Sequence, residues 1–339
     1  MEKVLIVLSK YHLNLYKNGF LDYGKRKDIK IDFWLLYDRE TESFYNKKAY
    51  KYNFFGRRDF INKKQYEGLT QIINNYDKCL FINLPDESRL LIKAIPQKIA
   101  KYLLFVDTIK DLNSVDELHK FEKIFSFEYR DVEYAKQTLK IKVNYVPIGT
   151  SYYLYDVVDG LPKYDISFVC LATKKRLEYL DKIANYCQET GRTLFLAGHF
   201  WHNSNFLQRT IGAFKFRKRY PVLYKYVKNE YLKPYELAQV YVNSKICLNI
   251  NIEKHHSFNT RNFDVMILAR MLITDDEDLN GIDLIPGQEF IMSKNEDDMV
   301  RNIDIYLNND EERLKIAQKG KQKVGERYCF INAIEQIFG

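Results

Sequence analysis

Asn259, Arg261 and Asp264 stand where a chain could hold an anion and a sugar. They follow the apolar run Ile246–Ile250 and a polar loop with His255, His256 and Ser257. They open a stretch in which Phe263, Met266 and Ile267 recur at i, i+3 and i+4, the spacing of one helical face. A second apolar run, Met271–Ile273, closes the segment. A buried strand feeding a polar loop at a helix N-terminus is where α/β proteins hold a diphosphate, because the first turn leaves N–H groups without partners in the helix. Arg261 would add a planar fork of donors for phosphate oxygens. Asp264, within two turns of the helix start, could take the two hydroxyls of a ribose. The structural alternative is that Asn259 caps the helix, Arg261 solvates its first turn and Asp264 serves its dipole.

Other residues carry chemistry of lower specificity. Lys174, Lys175 and Arg176 follow the apolar run Asp165–Cys170 and would meet a phosphate, or merely begin an exposed helix. The sequence GHFWH (198–202) follows another apolar run; Gly198 would let the backbone approach a ligand closely, with His199 beside it, or the segment is a packed turn. His12 follows the first candidate strand and Asp107 ends the fourth. Each is a candidate base for a substrate hydroxyl, or a structural histidine and a helix cap. The adjacent His255 and His256 cannot converge on one metal from a regular element, and no other His, Cys or carboxylate spacing suits zinc, so no metal is expected. The acidic run 274–278 reads as a solvated loop.

Residues 206–235 hold eight Lys or Arg against the single acid Glu230, with eight aromatics interleaved. That pattern fits an anionic membrane surface, single-stranded nucleic acid, or a solvated insertion with an aromatic underside. Nucleic acid is not expected, because no RNP-type strand or zinc-finger spacing accompanies it.

The elements that position these residues alternate. Candidate strands are Lys3–Leu8, Asp32–Tyr37, Lys78–Asn83, Tyr102–Asp107, Lys123–Phe127 and Asn144–Ile148, with helices at Lys64–Asn75, Asp86–Ala100 and Asp131–Thr138 among the gaps. The rhythm restarts with strands Asp165–Cys170, Thr193–Ala197, Lys245–Ile250 and Met271–Thr274. Helices are expected at Lys175–Glu189, Pro234–Asn243, Asn262–Ala269, Asp297–Asn308 and Asp310–Gly325. Strands apolar throughout and separated by helices imply parallel sheets covered on both faces. With 339 residues, two domains are expected: 1–150, a linker over 151–163, 164–325, and a C-terminal helix over 326–339 that packs back on the first domain.

Composition narrows the class further. The five cysteines are scattered without a C-x-x-C pair, which fits a reducing cytoplasm and no disulfide framework. The N-terminal apolar run is too short for a signal peptide, and no stretch approaches the roughly 18 apolar residues of a spanning helix. A net charge of +8 suits acidic partners without choosing among them.

Five segments resemble one family: YDISFVCLATKKRLEYLDKI (164–183), TLFLAGHFW (193–201), SKICLNI (244–250), FNTRNFDVMILARMLITDD (258–276) and the run from 285 to 320. They are similar to the C-terminal half of the CgeB-like, group 1-type bacterial glycosyltransferases. YLLFVDTIKD (102–111) and FEKIFSFEYRDVEYA (121–135) resemble the capsule and lipopolysaccharide branch of these proteins. The resemblance implies a GT-B fold, two Rossmann-like doubly wound domains facing across a cleft, with the donor held mainly by the C-terminal one.

It also implies transfer of a sugar from a nucleotide-sugar donor to a glycan or lipid-linked glycan acceptor, retaining and independent of metal or cofactor, at the inner face of the plasma membrane. Asn259 and Arg261 match polar positions of the family's donor loop, which also spans Ser257, Phe258 and Thr260. Asp264 matches its ribose-binding glutamate, one methylene shorter. His256 stands where related retaining enzymes place a second glutamate, and Cys170 replaces the glycine of F-V-G-S. Lys174, Lys175 and Arg176 would face the leaving phosphate, with His12 or Asp107 as base if the enzyme inverts. The alternative reading is a non-catalytic GT-B scaffold that binds a nucleotide or glycan.

Overall fold

The computed structural model of the chain describes residues 1–37, 44–83, 86–111, 115–158, 160–201, 206–252, 257–275 and 278–339. The chain divides into two compact units. Unit 1 is residues 1–148 with 330–339, and unit 2 is residues 149–329.

Unit 1 is built on six parallel strands: β1 (Glu2–Leu8), β2 (Ile29–Leu35), β3 (Lys78–Ile82), β4 (Ala100–Phe105), β5 (Lys123–Ser126) and β6 (Asn144–Tyr145), in the order β2-β1-β3-β4-β5-β6. Its helices are α1 (Lys10–Lys27), α2 (Phe44–Lys51), α3 (Arg57–Ile72), α4 (Asp86–Ala94) and α5 (Tyr129–Tyr134), with a C-terminal helix (Phe330–Phe338) returning to the unit. Ser9 caps α1, its hydroxyl accepting from the His12 N–H, and Lys25, Arg26 and Lys27 complement the dipole at the other end. Leu5, Val7, Phe81, Leu103 and Phe105 form the core between strands and helices.

Unit 2 repeats the plan with β7 (Tyr164–Leu171), β8 (Leu194–His199), β9 (Val227–Lys228), β10 (Ser244–Asn249), β11 (Met271–Thr274) and β12 (Ile291–Met292), all parallel, in the order β12-β11-β10-β7-β8-β9. Its helices are α6 (Lys174–Thr190), α7 (Phe206–Arg219), α8 (Pro234–Val242), α9 (Thr260–Ile267), α10 (Glu296–Leu307) and α11 (Asp310–Arg327), which makes the C-terminal helix α12. Ile166, Phe168, Leu196, Ile246, Leu248 and Ile273 lie in its core.

Differences from the sequence reading have local causes. The helix expected over 86–100 stops at Ala94, because Pro96 cannot continue it, and the chain is extended again from Ala100. Strand β2 lies earlier than 32–37, and β4 ends at Phe105, so Asp107 belongs to the following loop. The turn after α5 winds as a π-helix over Ala135–Leu139. The expected linker does not stand apart: Ser151 and Tyr152 are buried in unit 2, and the Tyr152 N–H donates to the Thr150 hydroxyl at 3.0 Å.

Candidate functional site

In each sheet the strand order reverses next to the first strand, between β1 and β3 in unit 1 and between β7 and β10 in unit 2. Open parallel sheets bind ligands at the C-terminal ends of the strands at such a point. In unit 2 that point gathers residues from three strand ends.

Asn249 closes β10. Its side-chain carbonyl accepts from Arg261 Nη1 at 2.7 Å, and its amide is 3.4 Å from both Asn251 Oδ1 and Thr274 Oγ1. Asn251, two residues on, receives the Asn259 amide at 2.9 Å and donates its backbone N–H to Asp275 Oδ1 at 3.0 Å. Asp275, just past β11, is almost completely buried and pairs with Lys175 Nζ at 2.5 Å. One polar network therefore runs from Arg261 through Asn249, Asn251 and Asp275 to Lys175.

Two features give this network an anion-binding character. It lies beside the N-termini of two helices, α9 and α6, whose leading N–H groups are partly met by caps: Asn259 Oδ1 accepts from the Arg261 N–H at 3.0 Å and Thr173 Oγ1 from the Arg176 N–H at 3.4 Å. Asn251 Nδ2 is buried and has no hydrogen-bond partner among the described residues. Such a donor carries a desolvation penalty that a ligand acceptor would relieve. Arg261 is aimed by its bond to Asn249 and by the Phe168 ring, 5.1 Å from its guanidinium.

Other expected site residues point elsewhere. Arg176 is buried, its Nε donating to the Ile250 carbonyl at 2.7 Å and its Nη1 to Leu171 at 2.9 Å, so it ties the ends of β7 and β10 together. Phe258 is a core ring, 5.1 Å from both Phe263 and Phe290, and Ser257 is buried beside it. Asp264 is buried. Its Oδ1 accepts from Thr150 Oγ1 at 2.5 Å, and burial pushes its carboxyl up to about 7 against the lowering influence of Thr150 and Arg261. The same burial raises the phenols of Tyr152 and Tyr241 nearby. Lys174 is largely exposed, 4.0 Å from Glu178. Thr260 begins α9 and is half-buried.

Gly198 takes φ +130 at the end of β8, where a Cβ would lie 1.9 Å from the Cys170 carbonyl oxygen. The turn that follows is packed: Asn229 accepts from the Phe200 N–H at 2.7 Å and donates to the Trp201 carbonyl at 3.0 Å. His199 is exposed at its start. His202, His255 and His256, together with Asp276 and Glu277, lie outside the described residues.

In unit 1, His12 sits in the first turn of α1 after β1, with Nδ1 3.0 Å from Ser9 Oγ. Burial lowers its pKa, and Asp107 opposes that shift. The Asp107 carboxylate accepts from Asn83 Nδ2 at 2.6 Å, and Asn83 Oδ1 accepts from the Val106 N–H at 2.8 Å. The segments that follow β1, β3 and β4 thus present His12, Asn83 and Asp107 at the C-terminal end of the sheet.

Among the described residues no three His, Cys, Asp or Glu side chains converge as a metal site, and no helix is long and apolar enough to cross a membrane. All five cysteines are buried, and none is in a disulfide.

The sequence reading missed Asn249, Asn251 and Asp275. A signal was present, since Asn249 and Asn251 are the polar positions in an otherwise apolar stretch ending β10, and a buried amide there must find partners. Asp275 was read as solvated, yet it is the carboxylate that holds Lys175.

Residues 180–339 match a family model described as glycosyl transferase-like. No curated protein matches the chain. Among solved structures, sucrose-phosphate synthase from Thermosynechococcus elongatus aligns over 100% of this chain and 98% of its own, with TM-score 0.65 at 10% identity. HepE from Anabaena, solved with UDP-glucose, aligns over 100% and 98% with TM-score 0.67 at 9% identity. TarM of S. aureus, solved with fondaparinux, alpha-GlcNAc-glycerol and UDP, aligns over 80% and 57% with TM-score 0.58 at 13% identity. At these identities the likeness establishes the fold, which is GT-B.

Proposed function

We propose that this chain, whose residues 180–339 match a glycosyl transferase-like family model and which has the GT-B fold, moves a sugar from a nucleotide-sugar donor to a glycan acceptor. The observation that carries the reading is the network at the β7/β10 switch point, where Arg261 and Lys175 stand beside two helix N-termini and the buried Asn251 amide has no partner among the described residues.

In this reading Arg261 and the first turn of α9 hold the donor diphosphate, and Lys175 lies toward the phosphate that leaves with the nucleoside. Negative charge grows on that phosphate as the glycosidic bond breaks, so cations already held by Asn249 and Asp275 stabilise the transition state without reorganising. The reaction is independent of metal and retains configuration. Asp264 sets the start of α9 through Thr150 instead of touching the ribose. Should transfer invert, His12 is the base, because burial favours its neutral form and Asp107 steadies the imidazolium that would follow.

The acceptor is a surface glycan of the capsule or lipopolysaccharide type, presented on a lipid at the inner face of the plasma membrane. Supporting this, α7 packs Gly212 and Phe216 against Trp201 and leaves Leu207, Ile211 and Phe214 exposed on its outer face, with Lys215, Arg217 and Lys218 around them. HepE bound to UDP-glucose and TarM bound to UDP and a glycosylated glycerol share the fold, which is consistent with a nucleotide-sugar donor.

The test is nucleotide-sugar binding, by thermal shift across a donor panel and then by calorimetry. Arg261→Ala should weaken the best nucleoside diphosphate by about 1.5–3 kcal/mol, the worth of a charge-assisted contact, and Arg261→Lys should recover only part of it. Unchanged affinity in a folded Arg261→Ala protein would remove Arg261 from the donor site. Binding without turnover of any donor, by transfer or hydrolysis, would favour a non-catalytic scaffold.

A further inference from the structure

The segment joining α2 to α3 in unit 1 exposes more aromatic surface than a solvated turn would. Phe55 is fully exposed, and Tyr52 and Phe54 are exposed by more than half, as are Tyr45 on α2 and Phe60 on α3. Three of four consecutive residues, Asn53, Phe55 and Gly56, take left-handed backbone angles of φ 53, 52 and 66. For phenylalanine that conformation is strained, and it persists only where its surroundings impose it. Here the restraint is polar. Asn53 Oδ1 accepts from the Arg58 N–H at 3.0 Å, Asn53 Nδ2 donates to Asp59 at 2.7 Å, and the Gly56 N–H donates to the Asn53 carbonyl at 3.1 Å. The turn is thus held by polar bonds, with Phe54 tilted against Tyr52 at 5.7 Å and the Phe55 ring left fully exposed. A Cβ on Gly56 would meet nothing within 4 Å, so the tip projects.

The helices behind the tip are anchored. Tyr50 is buried, stacks on Tyr37 at 5.0 Å and donates to Asn62 at 3.1 Å, while Trp34 of β2 donates to Gln65 of α3 at 3.1 Å. Around the tip, residues 44–64 carry seven cations, Lys47, Lys48, Lys51, Arg57, Arg58, Lys63 and Lys64, against one acid, Asp59.

We propose that the tip formed by Phe54 and Phe55, with its flanking cations, inserts into the interface of an anionic lipid bilayer. Projecting rings ringed by Lys and Arg match such a surface in both polarity and charge: the rings enter the boundary between headgroups and acyl chains while the cations meet lipid phosphates. Single-stranded nucleic acid is the competing partner for cations with aromatics, but it is held in a groove that tracks its backbone. A projecting tip offers no such track. The contact is separate from the one read on α7 and does not depend on the donor site.

A tryptophan reporter tests it. The chain has two tryptophans, Trp34 and Trp201, so Phe55→Trp adds a probe at the tip. The difference in emission between this variant and the parent should shift to the blue on adding phosphatidylglycerol vesicles, be quenched by bromine-labelled acyl chains, and stay unchanged with phosphatidylcholine vesicles. Vesicle flotation of Phe54→Ser/Phe55→Ser should fall at least tenfold, and that of Lys51→Gln/Arg58→Gln about 30-fold at low salt. Both variants should keep the parental melting temperature and donor affinity. Emission unmoved by anionic vesicles overturns the proposal, as does a response to single-stranded oligonucleotide in place of vesicles. Loss of donor binding alone would count against the reading of unit 2 and leave this one standing.

Discussion

Asp264 shows at the residue scale what burial does to a carboxylate. Its pKa in the folded chain is raised to about 7, above the ordinary range near 4 that it has when unfolded. Below pH 4 both states hold the proton and the group costs the fold nothing. Between about pH 4 and 7 the unfolded chain releases it first, so stability falls as pH rises and the loss is complete above pH 7. A shift of this size corresponds to on the order of 4 kcal/mol. Asp264→Asn keeps an acceptor for Thr150 and removes the titration, so its denaturant-unfolding free energy should decline less between pH 5 and pH 8 than the parent's. An identical decline in both proteins would assign the effect to other groups. Arg176 is the companion case. Arg176→Met should destabilise by about 1–3 kcal/mol, because the buried Ile250 carbonyl loses its donor and the Leu171 carbonyl its tie to α6. Chemical denaturation measures it, and a loss no larger than that of a surface substitution would contradict this role. Sequence alone could select Arg176 as a cation near a phosphate, but not show that its guanidinium was already spent on two carbonyls. Residue type was legible and side-chain direction was not.

Among the elements, legibility followed the strength of the pattern. The apolar runs that became β7, β10 and β11 and the periodic stretch that became α11 were read nearly to their ends, since burial on both faces or one leaves a plain hydrophobic signature. Strands β9 and β12 escaped because two residues carry no period. The network behind Lys175 and Arg261 escaped for another reason: it joins the ends of β10 and β11 to the start of α6, and no spacing within one segment reports a contact across a sheet. Gly198 was legible as a position needing close approach, although the neighbour is the Cys170 carbonyl of β7. Gly198→Ala must therefore part β7 from β8 or fail to fold. We expect a loss of several kcal/mol, well beyond the roughly 1 kcal/mol of a typical point substitution and opposite in sign to the gain that alanine brings at an unstrained glycine in a strand. A melting temperature within a few degrees of the parent would show that the strand pair yields easily.

For the whole molecule, the repeated parallel sheet foretold the fold class, and the sequence reading already expected a C-terminal helix over 326–339 to return to the first domain, where residues 330–339 lie. Where the chain enters unit 2 it pairs with where it leaves, the Thr150 N–H donating to the Tyr328 carbonyl at 2.9 Å and Thr150 bridging Cys329. Unit 2 is thus an insertion in unit 1, and α12 completes the first sheet's helical cover. Phe330 stacks on Tyr16 and meets Phe20 edge-on, both at 5.1 Å, and Ile334 and Ile337 are fully buried. Each large side chain of this kind contributes about 1.5–3 kcal/mol, so ending the chain at Cys329 should remove much of the 5–15 kcal/mol typical of a domain. Calorimetry of the shortened protein should show one transition near the parental temperature, from unit 2, and the other lowered or lost. Two unchanged transitions would mean that α12 is dispensable.

A ribosome delivers this chain from one end, and the inserted arrangement reverses the order in which its halves can finish. The residues of unit 1 up to 148 emerge first, yet the groove over Tyr16, Gly19 and Phe20 stays open until residues 330–339 leave the exit tunnel. Throughout the synthesis of unit 2 that nascent half displays an apolar strip for chaperones to hold. The half translated first is the half completed last.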